Sequence, residues 1–96
     1  MMHAVISFTR KSYEDGFGFD CMKAAYLFGI TGRMDYGTES GVRIEAEGEE
    51  SMITEFIKWI ENNGKIYDNT LSTRSIECNA KFKEFDIYRH PDFYHK

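Results

Sequence analysis

The hydrophobic pattern of this chain changes its period from two to about 3.6 between residues 42 and 60. Residues 42–46 alternate apolar and charged side chains, which is typical of a strand with one buried face. Further on, apolar side chains recur at the i, i+3, i+4 and i+7 spacing of a helix with one buried stripe, namely Ile53, Phe56, Ile57 and Ile60. A half-buried strand followed by an amphipathic helix predicts a sheet with helices packed on one face.

Weaker signals extend this pattern in both directions. The remaining predicted elements are a strand at residues 4–8, a helix at 20–28, a strand at 33–36, a further strand near 76–78 and a last strand at 85–88. Residues 37–41 contain turn-forming residues, so the strands on either side are expected to form a hairpin. Asp20 is predicted to start its helix, because a carboxylate there accepts free backbone amides.

The order of these elements predicts a ferredoxin-like βαββαβ sandwich of the α+β class. It has an antiparallel sheet with two helices on one face, and one further strand is expected. Residues 1–90 are predicted to form a single domain, and residues 91–96 a short tail that begins at Pro91. This fold supports many functions and therefore decides none of them.

Charge and cysteine content exclude several classes of partner. The chain has 12 Lys and Arg against 16 Asp and Glu, so 12 − 16 gives a net charge of −4, which disfavours nucleic acid. No apolar run is long enough to predict a membrane span. Cys21 and Cys78 are isolated, and we interpret them as reduced buried thiols of a cytoplasmic protein, with a single disulfide as the alternative. The three histidines match no metal-ligand spacing, so neither a metal nor a cofactor is predicted.

One segment has the character of a binding site. Gly16 and Gly18 follow the first strand and precede the first helix, and a loop of this kind collects free backbone amides that bind anions. Asp15, Phe17 and Phe19 complete the candidate ligand-binding loop. The alternative is an ordinary strand-to-helix turn in which both phenylalanines pack into the core.

The segment Gly16-Phe17-Gly18-Phe19 resembles the V-Q-G-V-G-F-R signature of the acylphosphatase family. Further similarities follow in the family's order: residues 31–36 to T-G-W-V-x-N, residues 41–50 to the second hairpin strand and helix start, residues 56–60 to F-L-x-W-L, and residues 85–89 to F-x-I-R-Y. Together they cover nearly the whole chain. The resemblance implies a ferredoxin-like fold and hydrolysis of carboxyl-phosphate bonds without a metal or a covalent intermediate. It also implies that the arginine of the signature holds the phosphate and that the asparagine positions the attacking water.

The sequence departs from the family pattern at both of these positions. Asp20 stands where the resemblance places the arginine, and Tyr36 stands where it places the asparagine, or Asp35 if the alignment slips by one. Losing one such donor costs on the order of 10²–10³ in rate. A carboxylate there also repels phosphate, by about 4 kcal/mol for unit charges 4 Å apart at an effective dielectric near 20. Glu14 and Asp15 add to this repulsion, so acyl-phosphate hydrolysis is predicted to be absent or very weak.

Two functional hypotheses follow from this departure. In the first, the chain is an acylphosphatase-like binding or interaction module, monomeric or weakly homo-oligomeric, that serves a protein partner or binds an acyl phosphate weakly. In the second, it hydrolyses acyl phosphates with Arg10 or Arg33 as a substitute cation, although surface charge is the simpler interpretation of both arginines. Residues 15–22 also resemble the centre of an RNA-binding RNP1 string, but Asp15 and Asp20 replace its cation and its valine.

Overall fold

The computed structural model describes residues 1–11, 16–37, 41–76 and 81–90, without the side chains at 36, 37, 89 and 90. The elements in this part of the chain are β1 (Met2–Thr9), α1 (Phe17–Leu27), β2 (Thr31–Gly37), β3 (Gly41–Gly48), α2 (Glu50–Asn63), β4 (Ser72–Ile76) and β5 (Phe85–His90). The tail at 91–96 and Cys78 lie outside the described residues.

The strands form one five-stranded sheet in the order β4-β1-β3-β2-β5. The ferredoxin-like α+β prediction is confirmed, and the sheet differs from an antiparallel one at a single pair: β5 runs parallel to β2. The other pairs, β1–β3, β1–β4 and β2–β3, are antiparallel. β4 and β5 occupy opposite edges, and the chain reverses direction between them, so β5 has the same direction as its neighbour β2.

Both helices pack on one face of the sheet, as the change of period predicts. Ile53, Phe56 and Ile60 of the predicted stripe are buried, whereas Ile57 is only partly buried. They pack with the alternate, inward-facing residues of the strands, which include Met34 and Ile44, both 0% exposed. The hydrophobic core is therefore a single layer between the sheet and the two helices.

The first helix begins three residues earlier than predicted. Asp20 lies within the first turn of α1, and the residue that precedes the helix is Gly16, with a left-handed backbone (φ 78°) and no side-chain capping bond. Gly16 tolerates this conformation because it lacks a Cβ atom. The apolar character of Leu27 predicts that it lies on the buried face of this helix, but its side chain is 80% exposed. Asp20 therefore belongs to the helix itself rather than to its start.

The other differences are smaller. β4 occupies Ser72–Ile76 rather than residues 76–78, and residues 77–80 lie outside the described part of the chain. α2 ends at Asn63, with Gly64 at its C-terminal cap, as the residues at 62–64 predict. Among the described helices, none has the length and apolar character needed to cross a bilayer.

Candidate functional site

One end of the molecule gathers the candidate residues. α1 is followed after only three residues by β2, which returns along the sheet, so the first turn of α1 and Tyr36 lie toward the same end. β1 also finishes there, because Arg10 pairs with Ile66 and bonds to Gly64 at the end of α2. We call this end, where β1, β2 and α2 finish and α1 begins, the site end.

The predicted glycine loop is largely the first turn of α1. The backbone amide of Asp20 donates to the carbonyl of Gly16 at 3.1 Å, which closes this turn. The amides of Phe17, Gly18 and Phe19 belong to the first turn, where a helix leaves its backbone donors without intrahelical acceptors. The turn therefore retains the partial positive charge of a helix N-terminus.

Asp20 is exposed at this helix start. Its carboxylate adds negative charge where the helix dipole is positive, which stabilises the helix and competes with an incoming anion. Asp15 and Glu14 lie outside the described residues, so their predicted contribution to the loop stays a prediction.

The two phenylalanines of the loop have different environments. Phe17 is 5% exposed and stacks on Trp59 with a ring-centroid distance of 5.8 Å. Phe8 packs edge-on against the Phe17 ring, with a ring-centroid distance of 6.1 Å. Phe19 is 60% exposed, so its assignment to the core is wrong. It faces outward because residues 17 and 18 already fill the inward side of this turn.

Arg10 is not a surface charge. The side chain is 4% exposed, its guanidinium carbon lies 4.2 Å from the centroid of the Phe17 ring, and its Nε donates to the carbonyl of Gly64 at 2.7 Å. That carbonyl lies at the C-terminal end of α2, where backbone oxygens carry partial negative charge. Arg10 thus ties the end of β1 to the end of α2 and the start of α1.

Arg33 and Asp35 lie on the sheet face without helices. Arg33 makes a two-pronged contact with the Asp35 carboxylate, at 2.9 Å from Nε and 2.6 Å from Nη2, and its guanidinium carbon lies 4.2 Å from the Tyr88 ring centroid. The hydrogen bond to Asp35 raises the pKa of Arg33 above its usual range. Because α1 packs on the other face of the sheet, neither the Arg33 nor the Asp35 side chain is directed toward it. Tyr36 pairs through its backbone with Val42, one strand position beyond Asp35.

Cys21 is a free and fully buried thiol on the inner side of α1. Burial raises its pKa to about 12, against a smaller opposing effect of Arg10 and a smaller additional effect of Asp20. At neutral pH it is therefore a neutral thiol, which is a poor nucleophile. The prediction of a reduced, buried Cys21 is confirmed.

Sequence reasoning missed a buried ionic cluster on the helix-free face. His3 and Glu47, both buried, are opposite one another in the β1–β3 register, and His3 Nδ1 lies 2.8 Å from Glu47 Oε2. His3 Nε2 is 3.2 Å from Glu45 Oε1 without hydrogen-bond geometry. Residues 81 and 82 contact this cluster: the Phe82 amide donates to Glu47 Oε1 at 3.3 Å, and Lys81 Nζ lies 3.5 Å from Glu45 Oε1.

The alternation of residues 42–47 predicts that Glu47 is solvated. A local pattern of this kind contains no information about residues 81 and 82, which contact Glu47 or its neighbour Glu45 but lie at least 34 positions away in sequence. A register that places His3 opposite an acid of β3 is the signal that could have found this cluster. β1 and β3 are joined through α1 and β2, however, so their register is not readable from a turn.

The buried Glu47 carboxylate predicts a loss of stability in acid. Burial alone acts to raise its pKa, but the hydrogen bond from His3 and the backbone amides of Phe82 and Lys81 outweigh burial and hold the pKa below 4.5. A lowered folded-state pKa means that the contribution of Glu47 is fully present above pH 4.5 and is lost as the pH falls through the folded value.

Urea unfolding measured from about pH 7 to about pH 3 should therefore show a steeper acid decline for wild type than for Glu47→Gln, which cannot titrate. Exposed Glu61→Gln serves as the control and should keep the wild-type slope. Equal slopes for wild type and Glu47→Gln would contradict the lowered pKa.

Among the described residues, no three His, Cys, Asp or Glu side chains are grouped so that they could hold a metal ion. The trio formed by His3, Glu45 and Glu47 makes contacts within itself and with residues 81 and 82 instead. The described part of the site end therefore presents backbone amides and a carboxylate.

Comparison with known proteins identifies the fold. No family model and no curated protein matches the chain. Among solved structures, an acylphosphatase from Bacillus subtilis matches 91% of this chain and 98% of its own, with a TM-score of 0.77 and 19% identity. An acylphosphatase from Coxiella burnetii matches 90% of both chains, with a TM-score of 0.77 and 16% identity.

A third similar structure is full-length HypF in a phosphate- and nucleotide-bound form. It matches 96% of this chain with a TM-score of 0.78 and 25% identity, but this chain covers only 12% of HypF. The identities are low, whereas coverage and TM-scores are high, so the similarity concerns the fold. The chain has an acylphosphatase-like fold.

Proposed function

We propose that this chain is an acylphosphatase-like domain in which acyl-phosphate hydrolysis is absent or very weak and which acts as a binding or interaction module. One observation carries the proposal: an exposed carboxylate, Asp20, occupies the first turn of α1. The sequence resemblance places the phosphate-binding arginine of the acylphosphatase signature at this position. A charge-assisted hydrogen bond from an arginine is worth about 1.5–3 kcal/mol, and a carboxylate replaces this attraction with repulsion.

The competing hypothesis needs a substitute cation, and the geometry disfavours both candidates. The guanidinium of Arg10 is buried between the Phe17 ring and the Gly64 carbonyl, so presenting it to a ligand would break these contacts. Arg33 lies on the opposite face of the sheet, with its guanidinium bound to Asp35. We therefore favour the non-hydrolytic module over an active acylphosphatase.

Hydrolysis of benzoyl phosphate tests this proposal. Wild type is expected to hydrolyse it no faster than buffer, whereas Asp20→Arg combined with Tyr36→Asn is expected to raise the rate by on the order of 10²–10³, because it restores the anion ligand and the water-positioning amide. A wild-type turnover of about 1 s⁻¹ or more, typical of an enzyme, would overturn the proposal.

A matched control separates this effect from a general change of surface charge. Glu50→Arg combined with Tyr26→Asn makes the same kinds of change in the first turn of the other helix and at an exposed site on α1. This variant should remain as inactive as wild type. If wild type proves active, Arg10→Gln and Arg33→Gln, each checked for folding by thermal unfolding, identify which cation supports the reaction.

A further inference from the structure

The outward side of α1 carries a mostly apolar stripe, and one of its members, Met22, is partly buried against the core. Phe19, Met22, Lys23, Tyr26 and Leu27 follow the i, i+3, i+4, i+7 and i+8 spacing of a helix side that packs against another element. Three of them are largely exposed, at 60% for Phe19, 86% for Tyr26 and 80% for Leu27. We call these five residues the outer face of α1.

The second helix has no such stripe. The corresponding outward positions of α2 are Ser51, Thr54, Glu55 and Lys58, all exposed and polar. In α1, by contrast, both the side toward the core and the outer face are mostly apolar. This pattern is typical of a helix that is covered by other elements on both sides. The inner side is covered by the core, through Phe17, Cys21 and Ala24 among others.

Two adjoining hollows lie along this surface and share Met22 and Tyr26. One, of about 550 Å³, is also lined by Lys23 and Leu27. The other, of about 470 Å³, extends over the start of β5, where Lys83 lies on its rim. The surface is thus uneven rather than flat around Met22 and Tyr26.

The charges around the outer face of α1 indicate what covers it. Among the described residues on or beside it, two acids, Asp20 and Glu84, lie with two bases, Lys23 and Lys83, although the chain as a whole carries −4. A strongly acidic or strongly basic partner would meet as many repulsive as attractive groups here. A second copy of the same helix in the antiparallel orientation, by contrast, would place its lysine opposite the aspartate of the first copy, and its aspartate opposite the lysine.

We propose that the outer face of α1 is a self-association surface that binds the same face of a second copy of this chain, with the two helices antiparallel. A two-fold axis near the middle of the helix places Lys23 of one copy beside Asp20 of the other, and the same pair forms twice. Antiparallel helix dipoles add to the attraction, and Phe19, Met22 and Tyr26 are removed from water.

The helix sets the strength of this association. α1 has 11 residues and is roughly 16 Å long. One side of a helix of this length covers a smaller area than the roughly 800 Å² per partner that a typical stable interface buries. We therefore expect a weak, concentration-dependent dimer rather than an obligate one. The association concerns a surface distinct from the amides of the α1 first turn and does not depend on the outcome of the hydrolysis assay.

Sedimentation velocity over about 5 µM to about 1 mM tests the proposal. The wild-type mass should rise from 11.2 kDa toward twice that value with concentration. The variant Tyr26→Lys, which adds a charge at an 86% exposed position of the outer face of α1, should remain monomeric. The control variant Asn62→Lys adds the same charge at an exposed position of α2 and should associate like wild type. Thermal unfolding confirms that each variant is folded.

Charge exchange tests the antiparallel arrangement. Asp20→Lys and Lys23→Asp should each weaken association at least about tenfold, and the two changes together should restore it, because the pair forms across the interface. A wild type that stays monomeric throughout would overturn the proposal and assign the surface to a different protein. Association that is unaffected by Tyr26→Lys, or a double exchange that fails to restore it, would equally overturn it.

Discussion

The Gly32→Ala variant is expected to lose about 4 kcal/mol or more of its free energy of unfolding, which places it among the most damaging single substitutions. Gly32 lies in β2 with φ 153°, and a Cβ atom added there would lie 1.8 Å from the backbone oxygen of Glu45 and 2.9 Å from its carbonyl carbon. Both atoms belong to the neighbouring strand β3 and cannot move as a side chain can. Accommodating a methyl group therefore requires β2 and β3 to separate in the middle of the sheet.

The loss is large compared with the stability of a domain of this size, which is about 5–15 kcal/mol. Thermal unfolding should show a decrease of Tm by about 15 °C or more, at about 4–8 °C for each kcal/mol. Gly41→Ala is the matched control, because it lies in the same hairpin with nothing within 4 Å of the added Cβ. It should unfold within about 0.5 kcal/mol of wild type. A Gly32→Ala protein as stable as Gly41→Ala would contradict this packing.

The second large effect is expected at Glu47. Replacing it with alanine removes the carboxylate that accepts hydrogen bonds from His3 and from the Phe82 amide. The buried His3 and the partly buried Phe82 amide then both lack this partner. Removing one member of a buried pair typically costs about 3–5 kcal/mol. Glu61→Ala removes an exposed carboxylate of α2 and should change stability by less than about 0.5 kcal/mol.

Hydrogen exchange separates this effect from a uniform loss of stability. The Phe82 amide should exchange faster in Glu47→Ala by a larger factor than the core amides of α2, because residues 81–84 lose a point of attachment to the sheet. Equal acceleration of exchange at both places would mean that Glu47 stabilises the fold without holding this segment. A stability equal to that of Glu61→Ala would contradict the buried pair itself.

The fold was predictable because its signals are local. The alternation at 42–46 and the helical stripe from Ile53 to Ile60 each report one buried face, and a short chain has few ways to bury both. The position of Asp20 in the resemblance to the acylphosphatase signature was equally readable, since two glycines anchor that comparison. Its place within the first turn of α1 was not, because the helix starts at a glycine in a left-handed conformation.

The environment of each charged side chain was less predictable. Arg10 and Arg33 are the same type of residue, and each has polar neighbours in the sequence. Arg10 is nevertheless buried against Phe17 and Gly64, whereas Arg33 is bound to Asp35 on the face of the sheet without helices. Which side of a strand end faces the core depends on the elements packed there. Sequence patterns do not contain that information for an isolated arginine.

By itself, the sequence determined the succession of strands and helices and the buried stripe of α2, and it carries the resemblance that places Asp20 where the family pattern has an arginine. Periodicity reports how often a residue turns inward, so it fixes these properties within a few residues of chain. Only the tertiary structure decided that β5 lies parallel to β2, that His3 meets Glu47, and that Phe19 faces outward along a second stripe of α1. The physical reason is that these properties depend on contacts between residues distant in sequence, such as the 44 positions between His3 and Glu47. Such contacts are set by strand register and by which surfaces remain uncovered once the core has formed.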